Sequence, residues 1–91
     1  MPLALEELEE VVVGSDSPEN EAIRKELAAS MNRFLRKLTV QERYVFVRRY
    51  WYLDSLADIA KNTGFSGSKV ASMLFRLRGR LKKQLIKEEL L

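Results

Sequence analysis

The sequence contains no cysteine and no histidine among its 91 residues. Without cysteine the chain can form neither a disulfide framework nor a thiolate metal site, and without histidine it lacks the commonest metal ligand and general base. The remaining serine, aspartate and lysine residues form no catalytic constellation. These absences argue against a metalloenzyme or a histidine-dependent hydrolase, and we predict a protein that is not an enzyme and uses no metal or cofactor.

Long apolar runs are also missing. No stretch approaches the roughly 18 residues that cross a bilayer, and the acidic N-terminal residues lack the positive start of a signal peptide. We therefore predict a soluble, cytoplasmic protein that does not enter the membrane. Its hydrophobic content of 46% is sufficient for the core of one small domain. We place that domain at residues 18–91, after an acidic linker or weak helix at residues 1–17.

Charge is distributed unevenly along the chain. Residues 1–30 carry eight acidic and two basic side chains, whereas residues 31–91 carry five acidic and fourteen basic ones. From Ser66 to Lys87 there are seven basic residues and no acidic one. A positive field of this kind suits phosphate, although a basic run can also be a solvated helix face. The acidic segment at 1–17 is interpreted as a linker, with a decoy for a DNA-binding face as the alternative.

Two helices are predicted before residue 55. Ser17 as N-cap and Pro18 at the first helical position begin the first. One face of this helix is apolar, with a helical spacing, and consists of Ile23, Leu27, Met31, Phe34, Leu35 and Leu38. Thr39 and Glu42 match a capping box and begin the second helix. Its apolar and aromatic residues are predicted to form the centre of the core; they are Val40, Tyr44, Val45, Phe46, Val47, Tyr50 and Trp51.

Arg48 and Arg49, in the second helix, are expected to project from it. Residues 55–75 then have the pattern of a helix-turn-helix, in which two helices cross steeply at a short turn. Ser55 and Asp58 repeat the capping-box signature and begin the third helix. Gly64 can adopt the left-handed conformation that ends this helix.

Ser66 can cap the fourth helix, and the small Ala60 allows the two backbones to approach. The inward-facing residues of the motif are Ile59, Val70 and Met73. The apolar stripe of the fourth helix consists of Val70, Met73, Leu74, Leu77, Leu81 and Leu85. The second half of this helix is expected to pack back on the first two helices, with a dimer seam as the alternative.

In a helix-turn-helix the N-terminal part of the second helix lies over base edges in the major groove. The residues predicted to face the groove are Ser66, Gly67, Ser68, Lys69, Ala71 and Ser72. None of them offers a bidentate arginine or asparagine pairing with a base, so we expect weak direct readout. Phosphate contacts are predicted for Arg49, Lys69, Arg76 and Arg80, and for the free N–H groups at the helix starts marked by Ser55 and Ser66.

Several ordered segments together resemble region 4 of bacterial sigma factors of the sigma-70 family, over about residues 20–87. The segments are Leu38-Thr39-Val40-Gln41-Glu42-Arg43, Val45-Phe46-Val47-Arg48-Arg49-Tyr50, Ser55-Leu56-Ala57-Asp58-Ile59-Ala60, Phe65-Ser66, Lys69-Val70 and Leu74-Phe75-Arg76-Leu77-Arg78-Gly79-Arg80-Leu81. The resemblance implies an all-α, four-helix domain that contains a helix-turn-helix and is winged-helix-like, of the sigma region 4 type.

It also implies a function in transcription initiation, in which the domain binds the promoter element near position −35 and docks on the flap of the RNA polymerase β subunit. Positions that match the family's DNA contacts are Gln41, Arg49, Ser55, Leu56, Ser66, Gly67, Ser68, Lys69, Ala71, Ser72 and Arg76. Phe34 and Leu38 are expected to contribute to a hydrophobic surface for the flap. An anti-sigma factor is a further partner that the resemblance implies.

The sequence departs from the family at Gly67, Ser68 and Ala71, where arginine or glutamate is common. The helical module that binds the downstream promoter element is absent, so we expect the chain to be a fragment, with residues 1–17 the remnant of a linker, and the isolated domain to be a monomer. One alternative is the effector domain of a response regulator or quorum-sensing-type activator, but the residues at 49–52 and 75–80 favour sigma. The other is a mainly protein-binding module for polymerase or an anti-sigma factor.

Overall fold

A computed structural model of the protein describes Glu7 and residues 21–91. In this part of the chain there are four helices, α1 (Glu21–Lys37), α2 (Val40–Tyr50), α3 (Leu56–Thr63) and α4 (Gly67–Lys87), and no strand. The predicted all-α class is therefore confirmed for the described residues. Apart from Glu7, the predicted linker at 1–17 lies outside them, as do the predicted helix-starting residues Ser17 and Pro18.

Three helices begin at the residues that the sequence indicates. The N–H of Glu42 donates to Thr39 Oγ1 at 3.1 Å and the N–H of Thr39 donates to Glu42 Oε1 at 3.0 Å, which completes the capping box of α2. Ser55 Oγ accepts from the N–H of Asp58 at 3.0 Å, which is the bond of a capping box that the side chain of the N-cap residue accepts. Ser66 Oγ accepts from the N–H of Lys69 at 3.0 Å and caps α4 in the same way.

The connection from α3 to α4 consists of Gly64, Phe65 and Ser66. Gly64 has φ +80°, and its N–H donates to the carbonyl of Ala60 at 2.9 Å. A Cβ built at this glycine would meet no atom within 4 Å. Glycine is therefore favoured here because of the left-handed backbone and not because space is short. Ala60 is half-buried and packs against the core.

The end of α2 contains a feature that the sequence did not indicate. Leu53 has φ +57°, and the N–H of Asp54 donates to the carbonyl of Arg48 at 3.0 Å. Leu53 lies two residues beyond Trp51, the C-cap of α2, and is in the left-handed region where glycine is usual. Because leucine adopts this conformation only at a cost, nothing in its residue type signals the turn.

The core is built around α4, which contacts each of the other three helices. All six residues of its predicted stripe are buried, with Leu81 and Leu85 fully so. From α2, the Phe46 ring packs edge-on against Phe34 of α1, with centroids 5.4 Å apart. Gln84 Nε2 donates to both the hydroxyl and the carbonyl of the buried Ser30, at 2.8 Å each. The second half of α4 therefore packs back on α1 and α2, as predicted.

Some predicted core positions prove to be exposed. Ile23 keeps 40% of its surface accessible, because α4 ends close to Ser30 and Arg33 and does not extend along the first turns of α1. In α2 the buried residues are Val45, Phe46 and Tyr50. The other predicted core residues of that region that lie exposed are Val40, Tyr44 and Trp51. None of the helices in residues 21–91 has the length and apolarity that crossing a membrane requires.

Candidate nucleic-acid interface

The first half of α4 has one face in the core and the opposite face open to solvent. Val70, Met73 and Leu74 are buried. The predicted groove-facing residues are exposed, and they are Ser66, Gly67, Ser68, Lys69, Ala71 and Ser72. Since most of these side chains are small, this face presents little more than the helix backbone, and another macromolecule can approach α4 closely.

Phe75 extends the same exposed face by one turn. It follows Ala71 and Ser72 by four and three residues, a spacing that puts all of them on one side of a helix. Phe75 is 72% exposed, and the guanidinium of Arg78 lies 6.0 Å from its ring centroid. This residue was not predicted as a contact, although its helical spacing from Ser72 is a signal that could have identified it.

Gln41 and Lys69 both lie near Phe65, in the turn between α3 and α4. Gln41 lines a shallow pocket of about 240 Å³ whose other walls include Tyr44, Asn62 and Phe65. Lys69 Nζ lies 4.1 Å from the centroid of the Phe65 ring, which orients the lysine by a cation–π contact. The structure thus brings Gln41, from the start of α2, to the same side of the molecule as the start of α4.

Arg76 and Arg80 have different surroundings. Arg76 is exposed and forms no ion pair with the acidic residues that the structure describes. Arg80 Nη1 lies 3.3 Å from Glu42 Oε2 and its side chain is about half exposed. The pKa of Glu42 is below its ordinary value because the backbone N–H of Thr39 donates to it and Arg80 attracts its charge. The Arg80 guanidinium therefore interacts both with Glu42 of α2 and with the solvent.

Arg49 does not project as expected, and that prediction is wrong. Its side chain is only 11% exposed, because Nη1 donates to the carbonyl of Asp54 at 3.0 Å and Nε donates to Glu7 Oε1 at 3.1 Å. Arg48 is more open; it pairs with Asp54 at 2.7 Å and lies over the Tyr52 ring at 4.0 Å.

Two other predicted DNA contacts lie beside Arg49, at the start of α3. Ser55 is exposed. Leu56 is half-buried and packs against the core. For a contact with DNA, the backbone N–H of Leu56 is therefore a better candidate than its side chain.

Tyr50 and Arg78 complete a cluster with Arg49 around Glu7. Arg78 Nη1 donates to the Tyr50 hydroxyl at 2.8 Å and lies 3.6 Å from Glu7 Oε2. The same hydroxyl lies 3.4 Å from Glu7 Oε1. Burial raises the pKa of Tyr50, against the opposing effect of the bond from Arg78. The hydroxyl therefore stays protonated at neutral pH and can donate to Glu7.

The predicted hydrophobic surface for a protein partner is misplaced. Phe34 and Leu38 are 2% and 4% exposed, because their side chains pack into the core with Phe46 and its neighbours. An exposed apolar groove lies nearby instead. It has a volume of about 380 Å³ and is lined by Asn32, Leu35, Val47, Trp51 and Tyr52.

Among the described residues, no three acidic side chains are grouped so that they could hold a metal ion. Comparison with protein-family models, with curated proteins and with solved structures finds no match to this chain.

Proposed function

We propose that α3, its turn and the first half of α4 form a helix-turn-helix, and that the chain is a promoter-recognition domain of the sigma region 4 type. The observation that carries this proposal is the exposed, small-residue face of α4, flanked by Lys69 and Arg76. An α-helix enters the major groove of DNA, and small side chains on the entering face permit a deep approach.

Base contacts in this proposal come from the same face. Ser68 and Ser72 can hydrogen-bond to several bases without a strong preference. Ala71 and Phe75 offer apolar contacts to thymine methyl groups. Because none of the predicted groove-facing residues at 66–72 is an arginine or an asparagine, discrimination between bases rests on these weaker contacts. We therefore expect low sequence specificity from the isolated domain.

Phosphate contacts position the helix in this proposal. Lys69 and Arg76 are exposed beside the groove-facing residues. The start of α3 contributes backbone N–H groups next to the exposed Ser55, where the helix dipole favours an anion. The ion pair of Arg80 with Glu42 is open to solvent. Arg80 adds a further phosphate contact when a phosphate replaces Glu42 as its partner.

The exposed groove beside Trp51 and Tyr52 is the docking surface that we assign to the polymerase β flap. Aromatic side chains are enriched at the centres of protein interfaces, and these two are more than half exposed. A second attachment raises the effective concentration of the domain at DNA. Polymerase tethering would thus supply affinity that the small groove-facing residues lack. An anti-sigma factor would compete for the same groove.

The test is selection of bound sequences from a random duplex pool, with the chain bound to polymerase core enzyme. The proposal predicts enrichment of a short motif. Ser72→Glu, which points a carboxylate at the groove, should abolish that enrichment. The matched control is Ala28→Glu, which adds the same charge to an exposed site on α1 and should leave it intact. Uniform recovery of all sequences would contradict promoter recognition.

A mainly protein-binding role is the second candidate, and the exposed groove at Trp51 and Tyr52 favours it. In that case Trp51→Ala would abolish binding to the polymerase flap while the wild-type chain showed no affinity for DNA even at low salt. Under the promoter proposal, Trp51→Ala weakens binding to the flap but leaves the affinity of the isolated chain for DNA unchanged.

A further inference from the structure

The Glu7 carboxylate is held by three groups that come from two helices. Arg49 Nε lies 3.1 Å from Oε1, and Arg78 Nη1 lies 3.6 Å from Oε2. The Tyr50 hydroxyl lies 3.4 Å from Oε1 and also accepts from Arg78 at 2.8 Å. Both guanidinium groups and one phenol hydroxyl therefore face a single anion.

The two arginines need an anion at this position. Their side chains are 11% and 17% exposed, and burial of like charges without a counter-charge is costly. The planar fork of arginine matches the oxygens of a carboxylate and of a phosphate equally well. The cluster is thus a preformed binding site for an oxyanion, and the Glu7 carboxylate is one of the groups that fit it.

The location of the cluster points to phosphate as the other occupant. Arg49 donates to the carbonyl of Asp54, the residue just before Ser55, which caps α3. The site therefore borders the N-terminal end of α3, to which the proposed function assigns a DNA phosphate. Glu7 also belongs to the same chain, 42 residues before Arg49, and so competes at a high effective concentration.

We propose that Arg49, Tyr50 and Arg78 form an oxyanion site that Glu7 occupies in cis, and that a phosphate group takes the site when Glu7 leaves. The identification of that phosphate as a DNA diester rests on the proposed function. The site itself does not, because it follows from the three side chains and their contacts. Glu7 then lowers the affinity of the chain for DNA until it is displaced.

The first experiment uses inorganic phosphate as the probe and the full chain as the protein. The side-chain Nε–Hε signals of Arg49 and Arg78 are followed by NMR during a phosphate titration. In Glu7→Gln we expect saturable shifts at these two arginines, at phosphate concentrations at least about threefold lower than in the wild-type chain. The Arg36 signal, from an exposed arginine of α1, serves as the internal control. Absence of a shift confined to Arg49 and Arg78 in Glu7→Gln would overturn the proposal.

The second experiment measures binding to a random-sequence DNA duplex at low salt. We expect Glu7→Gln to bind about three- to tenfold more tightly than the wild-type chain, since it frees a partly buried arginine pair. Glu9→Gln makes the same change in net charge in the same acidic segment and should change affinity by less than about twofold. Arg78→Gln should remove the difference between wild type and Glu7→Gln, and circular dichroism verifies that each variant is folded.

The two experiments separate this inference from the function on which its DNA part rests. If the phosphate shifts occur and no variant binds DNA, the site stands and the proposed function fails. If the wild-type chain binds DNA but Glu7→Gln and Glu9→Gln strengthen binding equally, the effect is one of general charge, and the inference fails while DNA binding stands.

Discussion

Gly64 and Gly79 differ in backbone conformation and not in available space. A Cβ at either position would meet no atom within 4 Å, but only Gly64 has a positive φ, of +80°. A left-handed conformation is costly for any residue with a Cβ, whereas a glycine inside a helix is itself destabilising. The same substitution should therefore have opposite effects at the two positions.

We expect Gly64→Ala to lower the free energy of unfolding by about 1 kcal/mol, because alanine is strained at that turn. Gly79→Ala, in the middle of α4, should raise it by about 0.5–1 kcal/mol. Urea denaturation of the two variants beside the wild-type chain measures both changes. A loss of stability of similar size in both variants would show that steric crowding decides the outcome.

At the residue scale, the sequence predicted the positions that depend on local chemistry. Thr39, Ser55 and Ser66 cap helices because their hydroxyls can accept a bond from the backbone nearby. Leu53 could not be predicted, because its left-handed conformation is imposed by the bonds around it and not by its residue type. The environment of Arg49 also depends on a contact with Glu7, far away in sequence.

The N-terminal end of α2 contains a carboxylate, Glu42, whose pKa changes when the chain folds. The pKa of Glu42 is lowered in the folded chain, first by the backbone N–H of Thr39 and then by Arg80. A carboxylate whose pKa is lowered by folding stabilises the folded chain at pH values above its ordinary pKa of 4.5. That stabilisation is lost as the pH falls through the pKa of the folded state. Glu88 acts in the same direction, since the Ser30 hydroxyl and the Arg33 guanidinium, which donates to it at 2.7 Å, lower its pKa.

We expect Glu42→Gln to reduce the loss of stability between about pH 6 and about pH 3 by about 0.5 kcal/mol, the scale of a solvent-screened ion pair. The amide oxygen of glutamine still accepts from Thr39, so the helix cap is retained. Urea denaturation at the two pH values is the measurement. If wild type and Glu42→Gln lost equal stability, Glu42 would not be part of the acid response.

The second half of α4 tests how the elements pack. Leu85 is fully buried, whereas its neighbour Ile86 is exposed. Leu85→Ala should lower the free energy of unfolding by about 2–5 kcal/mol, and Ile86→Ala should change it by less than about 0.5 kcal/mol. Denaturation at two protein concentrations provides the check. A concentration-dependent midpoint that disappears in Leu85→Ala would instead indicate a dimer seam at this end of α4.

At the element scale, the helical spacing of apolar residues predicted the stripe of α4 completely, because that helix packs against all three others. The same criterion failed for Ile23 and Val40. Spacing identifies an apolar face, but it does not show how far along a helix the neighbouring helices extend. The error at Phe34 and Leu38 has the same origin: a sequence pattern cannot separate an apolar residue in the core from one in an exposed groove.

For the whole molecule, the uneven charge is the property that joins the site to the rest of the chain. The sequence predicted an acidic beginning and a basic remainder, and it raised the acidic segment as an alternative occupant of a DNA-binding face. It could not identify Glu7 as the residue that meets Arg49 and Arg78, since that contact depends on tertiary structure. The charge pattern indicates a phosphate-bearing partner, which stays a prediction, and it did not locate the contact of Glu7 with the two arginines.

The dependence of DNA affinity on salt tests the central proposal most directly. Phosphate contacts from Lys69, Arg76 and Arg80 should give a slope of log K against log salt of about −2.7, since each contributes about −0.9. Affinity should fall roughly 40-fold between about 50 mM and about 200 mM salt. Arg76→Ala should make the slope shallower by about 0.9. A flat slope for the wild-type chain, or no binding at the lowest salt, would contradict DNA recognition by this domain.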